Sequence, residues 1–231
     1  MRKVEVNVYK YEDLDKEIQE KLLDKEIEEQ LECYCEDCLY DDMQFEGVNL
    51  LADMFDVDYD KASEMKKQVY YDLSYSQGSG AMIEFTIDID TFNKKYKIYN
   101  EEEMRLIKDK DMLYNIRVFH NDNFYYHEYS FGIDYNDNFG YWDYEDIKDD
   151  YNVSEDAFNS LHDRLIKLCD TYNKHNTDSK FIEDIITMNR GLKNTGYNMI
   201  EDKESFKDIA LEYLNEREYT KTGEVYYESN F

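Results

Sequence analysis

Residues 69–88 constrain this chain more than any other stretch. Val69, Tyr71, Leu73 and Tyr75 alternate with Tyr70, Asp72, Ser74 and Ser76, and Gln77-Gly78-Ser79-Gly80 follows. Ala81, Ile83, Phe85 and Ile87 then alternate with Met82, Glu84, Thr86 and Asp88. Period-two alternation marks a strand with one apolar face. Glycines between two such runs supply the permissive backbone of a hairpin turn. A lone two-stranded hairpin is marginal in water, so the flanking chain must cover it.

By its spacing, that flanking chain is mostly helical. Val4, Val6 and Val8 alternate with Glu5, Asn7 and Tyr9 as a first strand. Asp13 or Asp15 can cap a helix in which Leu14, Ile18, Leu22, Leu23, Ile27 and Leu31 form an apolar stripe running to about Tyr40. Some 25 residues at 1.5 Å each span roughly 38 Å. Gly47 precedes a short helix ending at Phe55, and 61–67 reads as loop or a single helical turn. Asn100 opens a helix ending near Met112, with Glu101, Glu102 and Glu103 suited to the positive end of its dipole. Ile116, Val118 and His120 mark a third strand, and 124–134 a fourth. Ser154 caps a helix whose inward residues are Phe158, Leu161, Leu165 and Leu168 and which stops near Asn173. Another covers 180–188 and ends at Arg190-Gly191; a last one covers about 203–216, before a terminal turn or strand over 219–226.

The expected fold class is therefore α+β. It has an antiparallel sheet of about four to five strands, two hairpins plus the N-terminal strand, packed against a long N-terminal helix, with a helical C-terminal part. The expected division is an α+β domain over 1–150 and a helical part over 151–231, packed on the same core.

Charge narrows the function. The 231 residues include 55 Asp and Glu against 27 Lys and Arg, a net charge of −28. A disordered acidic chain is poor in aromatics, whereas 24 Tyr and 12 Phe predict a folded core. Direct nucleic-acid binding needs Lys and Arg against phosphates, so the balance disfavours it, and it disfavours anionic membranes for the same reason. It favours a basic protein partner, including one whose groove normally holds nucleic acid. No window approaches the 18 apolar residues of a membrane span, and no N-terminal apolar stretch resembles a signal peptide. Cys33, Cys35, Cys38 and Cys169 are accordingly expected as reduced thiols in a cytosol.

Motifs for chemistry are sparse. Cys35 and Cys38 have CxxC spacing, with Cys33 beside them, but the paired CxxC of a zinc site is absent, so thiols are favoured over a metal. Asp134, Asn136, Asn138 and Glu145 stand at positions 1, 3, 5 and 12 of a calcium-loop pattern. Its glycine, Gly140, is at position 7 instead of 6, and the flanks read as strand and loop, so a polar turn is favoured. Gly78 and Gly80 lack the Lys-Ser/Thr of a phosphate loop, and no GxSxG elbow occurs. His120 and His127 read as packing or surface residues. The expectation is no enzyme and no cofactor.

Several segments carry a resemblance. They are the N-terminal Val-rich strand with Glu12-Asp13-Leu14-Asp15-Lys16-Glu17, the hairpin Tyr71-Asp72-Leu73-Ser74-Tyr75-Ser76-Gln77-Gly78-Ser79-Gly80-Ala81-Met82, and Tyr125-Tyr126-His127-Glu128-Tyr129-Ser130-Phe131. The chain closes on Tyr219-Thr220-Lys221-Thr222-Gly223-Glu224-Val225-Tyr226. Order and spacing resemble acidic phage and prophage proteins often labelled antitoxins of toxin–antitoxin stability systems. Ser79 stands where that family usually has Asp, and Met82 where a small residue or Cys is common.

The resemblance implies a mobile-element origin and the cytoplasm of a bacterial host. Joined to the charge, it leads to the expectation of an anti-CRISPR-like inhibitor that occupies the basic groove of a host defence nuclease or ribonucleoprotein by charge mimicry. The alternative is an antitoxin-like or regulatory protein binding a single toxin or host partner, without catalysis. The expected partner-facing acids are Asp24, Glu28, Glu29 and Glu32 on the first helix, and Asp143, Glu145, Asp146, Asp149 and Asp150 on a second acidic helix face.

Overall fold

The computed structural model describes residues 7–121, 125–170 and 179–226. In chain order its elements are α1 (Lys16–Asp37), α2 (Leu39–Phe55), α3 (Tyr59–Met65), β1 (Lys66–Asp72), β2 (Gly80–Asp88), α4 (Ile89–Tyr96) and α5 (Glu101–Asp109). After these come β3 (Leu113–His120), β4 (Phe131–Asp137), α6 (Glu155–Asn159), α7 (Leu161–Cys169), α8 (Lys180–Glu201) and α9 (Lys203–Glu216). The class is α+β, with one four-stranded antiparallel sheet, a long N-terminal helix and a helical C-terminal part. Two compact units form, a helical unit of 7–42 with 197–226 and a sheet unit of 43–196; the dividing points fall within α2 and α8. Val4 and Val6 of the expected first strand, Phe124 of the expected fourth and Asn173 lie outside the described residues.

In the sheet unit the strands pair in the order β1-β2-β3-β4. Ile83, Phe85 and Ile87 of β2 are fully buried, as the alternation requires. Phe55 of α2 meets Phe85 edge-on at 5.8 Å, and Phe92 of α4 meets Phe181 of α8 at 5.0 Å. The opposite face of β2 is also covered, against expectation: Met82 is fully buried and Glu84 nearly so. Tyr70 and Arg117 from the neighbouring strands lie over Glu84, with the Tyr70 hydroxyl 3.3 Å from its carboxylate.

The hairpin differs from its expected form in a physically informative way. Its connection is 73–79, and the left-handed residue in it is Tyr75, at φ +57°. Serines stabilise this loop: Ser79 Oγ accepts the Ser76 N–H at 2.7 Å, and the Asp72 carboxylate accepts the Ser74 N–H at 2.9 Å. Gly80 is needed for close approach instead of a turn conformation, since a Cβ there would sit 2.2 Å from the Tyr126 carbonyl oxygen. The segment before β4 therefore crosses the hairpin, and the Tyr126 N–H donates to the Gly78 carbonyl. With 125–130 used in that crossing, β4 starts at Phe131, later than the expected 124–134.

Two other boundaries move for tertiary reasons. Gly191 does not end α8, which runs on to Glu201. A helix-interior glycine costs about 1 kcal/mol relative to alanine. At Gly196 packing offsets this, because a Cβ would press on Leu73 at 2.9 Å and Met43 at 3.0 Å. Fully buried Asn189, on the same helix, accepts the Ile83 N–H at 3.0 Å and donates to the Glu128 carbonyl at 3.3 Å. It thereby satisfies backbone groups on β2 and on the crossing segment. Similarly, α2 begins at Leu39, well before Gly47, and its Gln44 bonds both the N–H and the carbonyl of Val69 at 3.2 Å, capping the β1 edge. The helix expected from Ser154 is broken at Ser160 into α6 and α7, and α4, capped by Asp88, had no sequence expectation.

In the helical unit, α1 and α9 pack against each other. Leu14, Tyr11, Leu214 and Tyr219 form the core, with Ile18, Leu22 and Leu23 against it. Tyr34, farther along α1, meets Phe206 near the start of α9 at 5.5 Å, so the two helices run antiparallel. The chain ends are tied by bridges from Tyr9 to Tyr219 and from Tyr219 to Val225.

Candidate functional site

The acids sort into two groups by environment. Some belong to the scaffold. Glu26 is 3% exposed and receives the Arg217 guanidinium at 2.6 Å. Glu103, also 3% exposed, caps α5 through the Asn100 N–H at 2.9 Å and takes both terminal nitrogens of Arg164, at 2.7 and 3.1 Å. Glu84 pairs with Arg117, and Asp184 with Lys95 at 2.9 Å and Lys180 at 2.8 Å. Burial opposes the Asp184 charge, but bonds from Lys180, Lys95 and Tyr96 outweigh it and hold the carboxyl below its usual range.

The second group is exposed, and on α1 it is regular. Glu20, Asp24, Glu28, Glu32 and Glu36 recur at every fourth residue, and all five are exposed. Four residues advance about 6 Å along a helix, so the row is about 24 Å long. Like charges four apart destabilise a helix by about 0.2–0.5 kcal/mol per pair. Little offsets this. Lys21 pairs with Glu17 at 2.7 Å and Lys25 with Glu29 at 3.0 Å, outside the row. Within the row, among the described residues, Glu28 alone meets a cation, Lys203 at 4.0 Å. Glu36 and Asp37 also oppose the negative C-terminal end of the helix dipole. Helix stability therefore gives no reason for this arrangement.

A second row lies on α9, where Glu204, Asp208, Glu212 and Glu216 are four apart and exposed. Of these, Glu204 has a cation at 3.4 Å, Lys207. Both rows belong to the helical unit. Asp24, Glu28, Glu29 and Glu32 are exposed residues of α1. Glu20, Glu36 and the whole α9 row were missed by sequence reading, although the four-residue period of acids was there to be counted. So was a run from Glu26 to Asp60 without a single Lys, Arg or His.

The other expected acids are arranged differently. Asp143, Glu145, Asp146, Asp149 and Asp150 are exposed, but they do not lie on a helix face. Asp143 caps a 3-10 turn, Tyr144–Asp146, and the others lie in that turn and the turns after it, anchored by buried Ile147. Asp146 accepts the Asp143 N–H at 3.3 Å, and Glu145 pairs with Lys148. They belong to the sheet unit.

The other candidate sites resolve plainly. Asp134 accepts its neighbour's N–H, from Tyr135 at 2.9 Å, and Asn138 donates to the Asp111 carbonyl at 3.1 Å. Among the described residues no three of His, Cys, Asp and Glu gather to hold a metal ion. Cys33, Cys35 and Cys38 are exposed thiols and Cys169 is buried. Burial pushes the Cys35 thiol pKa up, and that of Cys169 up to about 12. An open hollow of about 560 Å³ lies beside α4 and α5, lined by Asp90, Lys94, Tyr99, Arg105 and Lys108 among others. Two of its cations pair with nearby acids, Lys108 with Asp90 and Arg105 with Glu102, each at 2.9 Å.

No protein-family model matches the chain, and no curated protein or solved structure does. Among the described residues no helix is long and apolar enough to cross a membrane.

Proposed function

We propose that this is an acidic protein inhibitor that works by binding, without catalysis, in the cytoplasm of a bacterial host. Its origin is a phage or prophage, and its target is a host nucleic-acid-targeting defence nuclease or ribonucleoprotein. The acid rows of the helical unit enter a basic groove that otherwise holds nucleic acid. The observation that carries this reading is the α1 row: five exposed acids at a four-residue period, with Lys203 near one of them. At 22 residues α1 is about 33 Å long, close to the roughly 34 Å of a DNA turn. Uncompensated charge on such a rod favours fast, salt-sensitive association with Lys and Arg surfaces.

Affinity capture from a bacterial host at low and high salt, read by mass spectrometry, tests the reading. The expected result is a basic nucleic-acid-binding protein retained at low salt and released near 0.5 M, where screening shortens to about 4 Å. Recovery of no such protein, or retention indifferent to salt, refutes it.

A further inference from the structure

On α9 the acid row borders apolar residues that the helical unit leaves in solvent. Ala210 and Leu214 face the core and are buried. Ile209 and Tyr213, four residues apart and so adjacent on the surface, are 44% and 45% exposed. Phe206, three residues before Ile209, is half-buried against Tyr34 and extends the stripe by one turn. Each of Glu204, Asp208 and Glu212 directly precedes a residue of the next strip around the helix, so acids flank Ile209 and Tyr213 along their length.

We infer that the Phe206–Ile209–Tyr213 stripe is a docking face for a basic amphipathic helix of the partner protein. Apolar side chains of that helix would pack on Ile209 and Tyr213, with its Lys and Arg meeting Asp208, Glu212 and Glu216. A helix fits because side chains three and four apart on an exposed helix form rows that interdigitate with those of a second helix. Charge selects the occupant. Nucleic acid and anionic membranes are repelled by the acids. A second copy of this chain would bring a further net −28 and its own acid row against them. Tyrosine is also among the residues enriched at interface anchors. This inference rests on reading the helical unit as a partner-binding surface.

A fluorescent synthetic peptide of about 18 residues, with leucine on one helical face and Lys or Arg elsewhere, is the probe. Its control is a scrambled peptide of equal composition and no apolar stripe. By anisotropy, the protein should bind the patterned peptide about tenfold more tightly than the scrambled one. Ile209→Ala with Tyr213→Ala should abolish that preference while leaving the circular dichroism and the salt-sensitive binding of both peptides intact. If that variant unfolds, Asp208→Lys with Glu212→Lys serves, and should weaken both peptides. Equal affinity for the two peptides overturns the inference, as does a preference that survives in Ile209→Ala/Tyr213→Ala. So does sedimentation of the protein as a dimer that this variant dissolves. Capture of a basic partner from the host with no peptide preference overturns the docking stripe alone. A peptide preference with no captured partner overturns the functional reading alone.

Discussion

Replacing Asp24 and Glu32 by glutamine should make the protein more stable and its binding weaker. Asp24 lies between Glu20 and Glu28, and Glu32 between Glu28 and Glu36, so the two changes interrupt all four like-charge pairs of the α1 row. At about 0.2–0.5 kcal/mol per pair, the relief is about 1–2 kcal/mol at low salt. Among the described residues neither carboxylate has a cation partner, so no ion pair is lost. Glutamine also has somewhat better helix propensity than aspartate, a gain independent of salt. The assay is urea unfolding followed by circular dichroism, in about 20 mM and about 0.5 M salt. Electrostatic relief should shrink between the two conditions as screening shortens, leaving the propensity term. An unchanged or lowered midpoint at low salt would mean that the row is compensated in the fold, and the case for its serving a partner would fall.

Three further outcomes follow from the packing. Glu103→Gln removes the charged partner of Arg164 and weakens the α5 cap; breaking a largely buried pair should cost about 3 kcal/mol, read by the urea midpoint. Gly80→Ala drives a Cβ into the backbone carbonyl of Tyr126 and should destabilise by about 2 kcal/mol or more, whereas Gly140→Ala, which meets open space, should be near neutral. With a thiol reagent, Cys33, Cys35 and Cys38 should react in the native protein and Cys169 only on unfolding. Burial raises the Cys169 pKa, so its contribution to stability is complete below the unfolded thiol value, about 8.5, and is lost as pH rises toward 12. Reaction of all four thiols at one rate would refute the burial of Cys169.

Much of the fold was legible because local chemistry decides it. Asn100 and Ser154 do cap helices, α9 runs over the expected residues, and the alternation around Ile83 and Val118 lies in strands. Where reading failed, a distant residue set the outcome. Gly191 looks like a helix stop, but the packing of α8 carries the helix through it. Residues 125–130 fall within the expected fourth strand, yet they cross the hairpin at Gly80. The acids show the same limit. Their four-residue period on α1 is a property of the sequence, and so is the place of Glu26 beside Leu22 and Leu23 on the apolar stripe, but only the fold supplies Arg217 as the partner that lets it stay there charged.

The charge, the alternation of the central hairpin, the caps at Asn100 and Ser154 and the period of the acid rows can be read from the chain alone, because each depends on residues within a few positions of one another. Tertiary structure alone decided which carboxylates are spent on Arg117, Arg164 and Arg217 and which are left to solvent. It also decided that Gly80 is a point of close approach and that the left-handed residue in the hairpin is Tyr75. The difference is one of range: propensity and periodicity act over one or two turns of chain, whereas ion pairing and steric exclusion act between segments that only folding brings within a few ångströms.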